Sequence, residues 1–328
     1  MQPNKQAVHI DGPLTNMSVA YMQKTEEFIA SKIFPVVPVE KASDKYFVFP
    51  KDAWFRDDAK PRAVGTKAAS SGYDVETDNY STEEFAHRHP IYDRIKANAD
   101  NPISLERNAV NFGTRMMLQR LERMFVTDFF TTGVWGTDVA GVSGSPGAGE
   151  TKHWSDDTSG NAVGDVDEAK ETVLKNTGFE PNTMVIGIQV FNALKEAAQF
   201  EEKIKYGGGP NAPAIVTQQA LAQIFGVERL FVAKSVVNTA KQGATFAGSF
   251  NFGKSAWVGY VNPEPAIEMP SAGYTFAWTG VSQGLGEQAA VKRYREEALA
   301  CEWIEAQMAL DIKKVGADLG YFFSSIVA

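Results

Sequence analysis

Apolar positions between residues 102 and 130 recur at three- and four-residue spacing, first as Leu105, Ala109, Phe112 and Met116 and then as Val110, Met117, Leu121 and Met124. That spacing predicts a helix. Asn101-Pro102 suits its start, as a capping residue followed by a proline whose fixed φ fits the first turn. Thr131-Thr132-Gly133 ends it. A continuous helix of this length spans roughly 40 Å.

Downstream the pattern alternates between helical and extended. DVDEAKETVLKNTGFEPNTMVIGIQVFNALKEA reads as a helix stopped at Gly178, a strand from Thr183 to Ile188 and a second helix. TQQALAQIFGV predicts another helix and RLFVAKSVV another strand, so residues 166–262 read as an α/β domain. Residues 133–165 are rich in loop formers, and GVSGSPGAG reads as a flexible turn. The last part, 263–328, is β-rich through GYTFAWTG. ALACEWIEAQMALDIKKV fits two periods: Ile304, Ala306, Met308, Leu310 and Ile312 alternate as in a strand, while Leu299, Trp303, Ala306 and Leu310 fit a helical stripe.

Two segments near the N-terminus have apolar residues without local partners. Residues 1–45 form an arm in which Phe28, Ile29, Ile33, Phe34 and Val36 have nothing in their own segment to pack against. The expectation is that they pack partly against a neighbouring subunit, and that removing residues 1–40 leaves a folded subunit. Residues 46–92 begin with YFVFP and end with YSTEEFAHRHPIYD, two extended stretches joined by the polar WFRDDAKPRAVGTKAASSG. This predicts a protruding hairpin, with Trp54 and Phe55 as apolar anchors and Arg56, Lys60 and Arg62 among the charges around them.

Composition narrows the classes. With 328 residues, 44% of them hydrophobic, the chain can bury a sizeable core. A net charge of −8 argues against a protein whose main task is gripping a phosphate backbone, while leaving a local basic patch open. The one cysteine, Cys301, excludes an internal disulfide framework. No signal peptide and no apolar run of membrane-spanning length is apparent, so the expectation is a cytoplasmic product without a membrane partner.

Residues 248–255, GSFNFGKS, satisfy the phosphate-loop pattern, with Gly253, Lys254 and Ser255 in the places that hold phosphate and magnesium. The chemistry requires a helix after the loop, whose N-terminus completes the anion site. AWVGYVNPEP follows instead and reads as a strand, so the match is read as accidental. His87 and His89 share one face of a possible strand but lack further ligands, and Cys301 lies in an apolar segment where packing is expected. GVSGS at 141–145 lacks the final glycine of a nucleophile elbow, and Asp57-Asp58, Asp156-Asp157 and Glu296-Glu297 read as solvated pairs. No catalytic residue, metal site or cofactor is assigned, and the chain is read as a non-enzyme.

This order of elements is similar to that of the major capsid proteins of tailed bacteriophages, which share the Johnson, or Hong Kong 97-like, α+β fold with herpesvirus shells. FIASKIFPVVPVEKASDKYFVF resembles the family's passage from N-terminal arm to extended loop. NTGFEPNTMVIGIQVFNAL resembles its axial domain, as do RLFVAKSVVNTA and FGKSAWVGYV, and DIKKVGADLGYFFSSIVA resembles its ending. The resemblance implies an N-terminal arm (1–45), an extended β-hairpin loop (46–92), a peripheral domain (93–165) with a spine helix (102–130), an α/β axial domain (166–262) and a β-rich return (263–328) in which 295–315 is strand. It further implies a virion shell of hexamers and pentamers around double-stranded DNA held without sequence-specific binding. A separate scaffolding protein, a portal and a decoration protein are the implied partners, and arm and loop residues Phe28, Ile29, Phe34, Trp54, Phe55, Arg56, Lys60 and Arg62 the implied assembly contacts. The alternative on the same fold is an encapsulin-like nanocompartment shell. The alternative from another class is a nucleotide-binding enzyme using Gly253, Lys254 and Ser255.

Overall fold

Two large sheets and one long helix carry the architecture in the computed structural model, which describes residues 23–98, 104–197, 199–200, 216–265, 269–281 and 290–328. The first sheet is organised by β14 (Cys301–Lys314). It is flanked by β4 (Glu83–Tyr92), β12 (Gly273–Trp278) and β13 (Ala290–Glu296), all antiparallel to it, and β1 (Val36–Val39) lies parallel to β12. The strand reading of residues 301–314 therefore holds over the helical one. Ile304, Ala306, Met308, Leu310 and Ile312 are all buried, but so are Trp303, Gln307 and Ala309, which is why periodicity alone fits both structures.

The helix α4 (Leu105–Phe129) crosses this sheet. Ser104 caps it, accepting a hydrogen bond from the Arg107 N–H, while Asn101 and Pro102, where the sequence pattern starts the helix, lie outside the described residues. Its buried face runs through Ala109, Gly113, Met117, Leu121 and Phe125. Gly113 is where helix and sheet approach most closely, because a Cβ there would sit 2.8 Å from the Cβ of Ala306. Half of the expected apolar stripe is thus displaced. Phe112 and Met116 point outward, at 44% and 37% exposure.

The second sheet contains β5 (Thr137–Val142), β6 (Glu150–Lys152), β7 (Thr183–Gly187), β8 (Arg229–Ala233), β11 (Ala256–Gly259) and β15 (Gly320–Ser324), in the order β6-β5-β15-β11-β7-β8. Helices α5 (Ala162–Thr177), α6 (Ile188–Glu196) and α7 (Gln218–Phe225) cover one face. Gly178 ends α5 with φ of 75°, the left-handed cap that glycine adopts without penalty. Because side chains alternate across a strand, neighbouring residues enter different cores. Met184, Ile186, Ala256, Val258, Tyr321 and Phe323 pack under the helices, whereas Val185, Trp257 and Phe322 pack with the spine helix. Burial on both faces explains the unbroken apolar runs of these strands.

Several boundaries differ from those read along the chain. The α/β sheet is not contiguous in sequence, since β5, β6 and β15 join strands from 183–259. Within 133–165 the loop-forming residues hide two strands: β5, which pairs with the distant β15, and β6, which pairs with β5. The hairpin pairs β2 (Ser43–Val48) with β3 (Glu76–Ser81), so it begins at 43 and ends at 81; β4, placed in it by the sequence, belongs to the first sheet.

Candidate assembly surfaces

The arm segment is core. Helix α1 (Ala30–Ile33) docks on α4, and Phe28, Ile29, Ile33 and Phe34 are 4%, 5%, 0% and 0% exposed. The Phe34 ring meets Phe125, Phe129, Trp135 and Trp257 edge-on, with centroids 5.3 to 6.3 Å apart. The expectation that Phe28, Ile29 and Phe34 face a neighbouring subunit is corrected accordingly, because their apolar surface is already buried within their own chain. A partner more than 90 residues away is invisible to a local reading of the segment.

Holding this segment is a residue the sequence reading missed. Glu122 lies in the middle of α4 with no exposed surface. Its carboxylate accepts from the N–H groups of Ile29 (3.1 Å) and Ala30 (2.9 Å) and from the Ser235 hydroxyl (2.8 Å). Burial pushes its pKa up to about 7, with the hydrogen bonds pulling the other way. Its neighbours on the chain, Leu121 and Arg123, give no hint of this, since a Glu in a helix is exposed by default.

The hairpin is fixed at its base and open at its end. Tyr80 stacks on Phe276 with centroids 4.6 Å apart, Tyr46 packs on the same ring, and the Ser81 N–H donates to Asp311 at 2.9 Å. Beyond the base runs a connection, residues 49–75, that contains the short helix α2 (Lys51–Trp54) and no strand. Trp54 and Phe55 are 60% and 62% exposed, and Arg56, Lys60 and Arg62 are exposed as well. Trp54 and Tyr73 lie 5.0 Å apart, and Arg62 donates to the Thr66 carbonyl at 2.6 Å, so the connection folds partly on itself. It also touches its own subunit: Lys51 pairs with Asp318, and the Phe55 ring lies over Gly178.

The phosphate-loop pattern has the shape the strand reading requires. Residues 248–250 form β10, paired with β9 (Val236–Asn238), and Ala256 opens β11 rather than a helix. The Lys254 carbonyl accepts from Ile326 N–H at 2.8 Å, and Ser255 Oγ accepts from Ser325 N–H at 3.3 Å, so the loop is tied to the C-terminal segment. His87 and His89 meet the edge of Phe112, with centroids 5.3 and 5.8 Å away, and Cys301 is fully buried. Among the described residues no group of three or more His, Cys, Asp or Glu could hold a metal ion, and no helix is long and apolar enough to cross a membrane.

The chain is 28% identical over 328 residues to the "Major capsid protein" of Burkholderia phage BcepMu, covering 97% of this chain and 96% of the relative. Among solved structures, a phage-related protein of Bordetella bronchiseptica superposes with a TM-score of 0.67 at 24% identity, over 93% of each chain. The capsid of cyanophage P-SCSP1u superposes at 0.63 and 10% identity, over 99% of this chain and 95% of the other. The holo-SrpI encapsulin of Synechococcus elongatus is also similar in structure. No protein-family model matches the chain. The chain has the Hong Kong 97-like capsid fold, an α+β architecture.

Proposed function

We infer that the chain is the major capsid protein of a tailed bacteriophage, whose copies assemble into the icosahedral shell of the virion. The observation that carries this is similarity over 97% of the chain to a phage major capsid protein, on a capsid fold. Its function is structural, and the chemistry is that of large surfaces rather than of one pocket. Hexamers and pentamers around double-stranded DNA are the assemblies this reading entails, with a separate scaffolding protein, a portal and a decoration protein as the further partners.

Within this reading the 49–75 connection is the arm of the subunit that reaches a neighbour. Trp54 and Phe55 are large, exposed and held near each other, as interface anchors are, and Arg56, Lys60 and Arg62 supply the polar surround. The encapsulin reading shares the fold, but the full-length relative is a phage protein, which favours the virion. Negative-stain microscopy of the purified full chain tests the proposal. Closed icosahedral particles are expected, in a gene neighbourhood with a portal and terminase; particles filled by a single cargo enzyme, or no particles at any concentration, would overturn it.

A further inference from the structure

Glu122 is joined to more than the arm. Its Oε2 accepts from the N–H groups of Ile29 and Ala30, and its Oε1 from the Ser235 hydroxyl. Ser235 lies in the link between β8 and β9. Its hydroxyl oxygen accepts from Asn251 Nδ2 at 3.0 Å, and its carbonyl accepts from the Asn251 N–H, also at 3.0 Å. Both residues are buried, as Glu122 is. A continuous hydrogen-bond chain thus runs from the arm, through the spine helix, to the residue that follows β10.

Nothing nearby neutralises this carboxylate. Among the described residues no cation forms an ion pair with it. From the arm the charged group that acts on it is Lys32, whose amine donates to the Glu26 carbonyl at 3.2 Å. From the β8–β10 side it meets the neutral Ser235 and Asn251, while Lys234 is exposed. On its own helix Arg120 and Arg123 are exposed and Arg115 half-buried. The chain nevertheless suits both proton states. With Glu122 ionised, hydrogens run from Asn251 to Ser235 to the carboxylate. With Glu122 protonated, its O–H donates to Ser235 Oγ, and the serine hydrogen turns to Asn251 Oδ1 once that amide turns over. Asn251 Oδ1 is buried and has no donor in the present arrangement.

We propose that Glu122 is a proton-linked latch on the arm: with its proton bound, residues 28–34 stay closed on the spine helix, and loss of the proton lets them open while the rest of the subunit stays folded. The closed arm takes the carboxylate out of water, which costs most when the group is charged and has no cation beside it. Opening returns it to water, and its proton passes to solvent. The closed-state pKa is about 7 against the ordinary 4.5, so closure is favoured at low pH and weakens as pH rises towards 7. An open arm presents Phe28, Ile29, Ile33 and Phe34, all buried when it is closed. The device belongs to the single subunit and does not rest on the capsid reading.

Hydrogen exchange of the full-length, unassembled subunit tests this, with each rate divided by the intrinsic rate at that pH. Protection of the amides of residues 29–33 should fall about 70-fold between about pH 5 and pH 8, as a shift from 4.5 to about 7 requires. It should stay below that of the β7 amides at both values. In E122Q the neutral amide donates to Ser235 as the protonated acid does, so arm protection should be equal at the two pH values. S235A provides a second variant should E122Q misfold by circular dichroism. It removes a bond from the ionised form, so its fall should exceed that of the wild type. A wild-type arm whose protection ignores pH, a fall that persists in E122Q, or a fall in S235A no larger than in the wild type would overturn the proposal. So would arm and β7 amides of equal protection throughout, since the arm would then open only with the whole subunit.

Discussion

The arm segment 28–34 and the loop connection 49–75 both contain large apolar residues with no partner nearby in sequence, yet they end in opposite environments. Phe34 touches four aromatic rings of its own subunit, while Trp54 and Phe55 stand more than half exposed. The difference lies in what the backbone can do. Around 28–34 the chain forms one turn of helix whose first N–H groups find the Glu122 carboxylate, so both polar and apolar groups are satisfied on the spine helix. In 49–75 a long polar connection leaves the aromatics no sheet or helix to lie under. Unpartnered apolar residues in a local stretch therefore point to packing somewhere else, in the same chain or another, and only the docking of the backbone decides which.

The sharpest way to break this comparison is Phe34→Ala. A fully buried phenylalanine replaced by alanine should destabilise the subunit by about 3–5 kcal/mol, read from urea unfolding. A loss below about 1 kcal/mol would place the arm at the periphery after all. For the same reason, deleting residues 1–40 should unfold the subunit rather than leave it folded but unable to assemble.

Next in size is the pH dependence set by Glu122. Its folded pKa, about 7, lies above the ordinary 4.5, so the folded state holds the proton more tightly. The associated stability is fully present below about pH 4.5 and is lost as pH rises through 7, a change of about 3 kcal/mol. Urea midpoints between these limits should fall with pH in the wild type and flatten in Glu122→Gln. A wild-type profile identical to that of the glutamine variant would refute the assignment.

Smaller effects on the subunit are expected from its loop. Trp54→Ala with Phe55→Ala should shift unfolding by under about 1 kcal/mol, because little apolar surface is buried there. The same pair should abolish particle closure by microscopy. Amides of residues 55–75 should exchange rapidly in the free subunit and slowly in particles; equal exchange in both would exclude a contact across a neighbour.

Lys254→Ala should have the least effect, within about 0.5 kcal/mol. Its backbone carbonyl, not its side chain, makes the bond to Ile326. Calorimetry is expected to find no ATP affinity in either protein, and micromolar binding lost on substitution would restore the nucleotide reading.

Sequence alone determined the elements whose signal is local. The long helix, the Gly178 cap, the helices and strands of the α/β region and the strand after Ser255 all follow from periodicity and from the conformational limits of glycine and proline. Tertiary structure decided the rest. Which face of the spine helix is buried was illegible because apolar residues surround it, and Gly113, not Phe112, admits the closest approach to β14. Strand β5 exists through pairing with β15, some 180 residues away, and β6 adds to the sheet only by pairing with β5, so no local propensity announces either. Glu122 reads as a surface charge until Ile29 and Ala30 arrive with their N–H groups. Desolvation, pairing and the choice between core and interface depend on distant groups brought within hydrogen-bond or van der Waals range, and these short-range forces leave no trace in the spacing of residues along a chain.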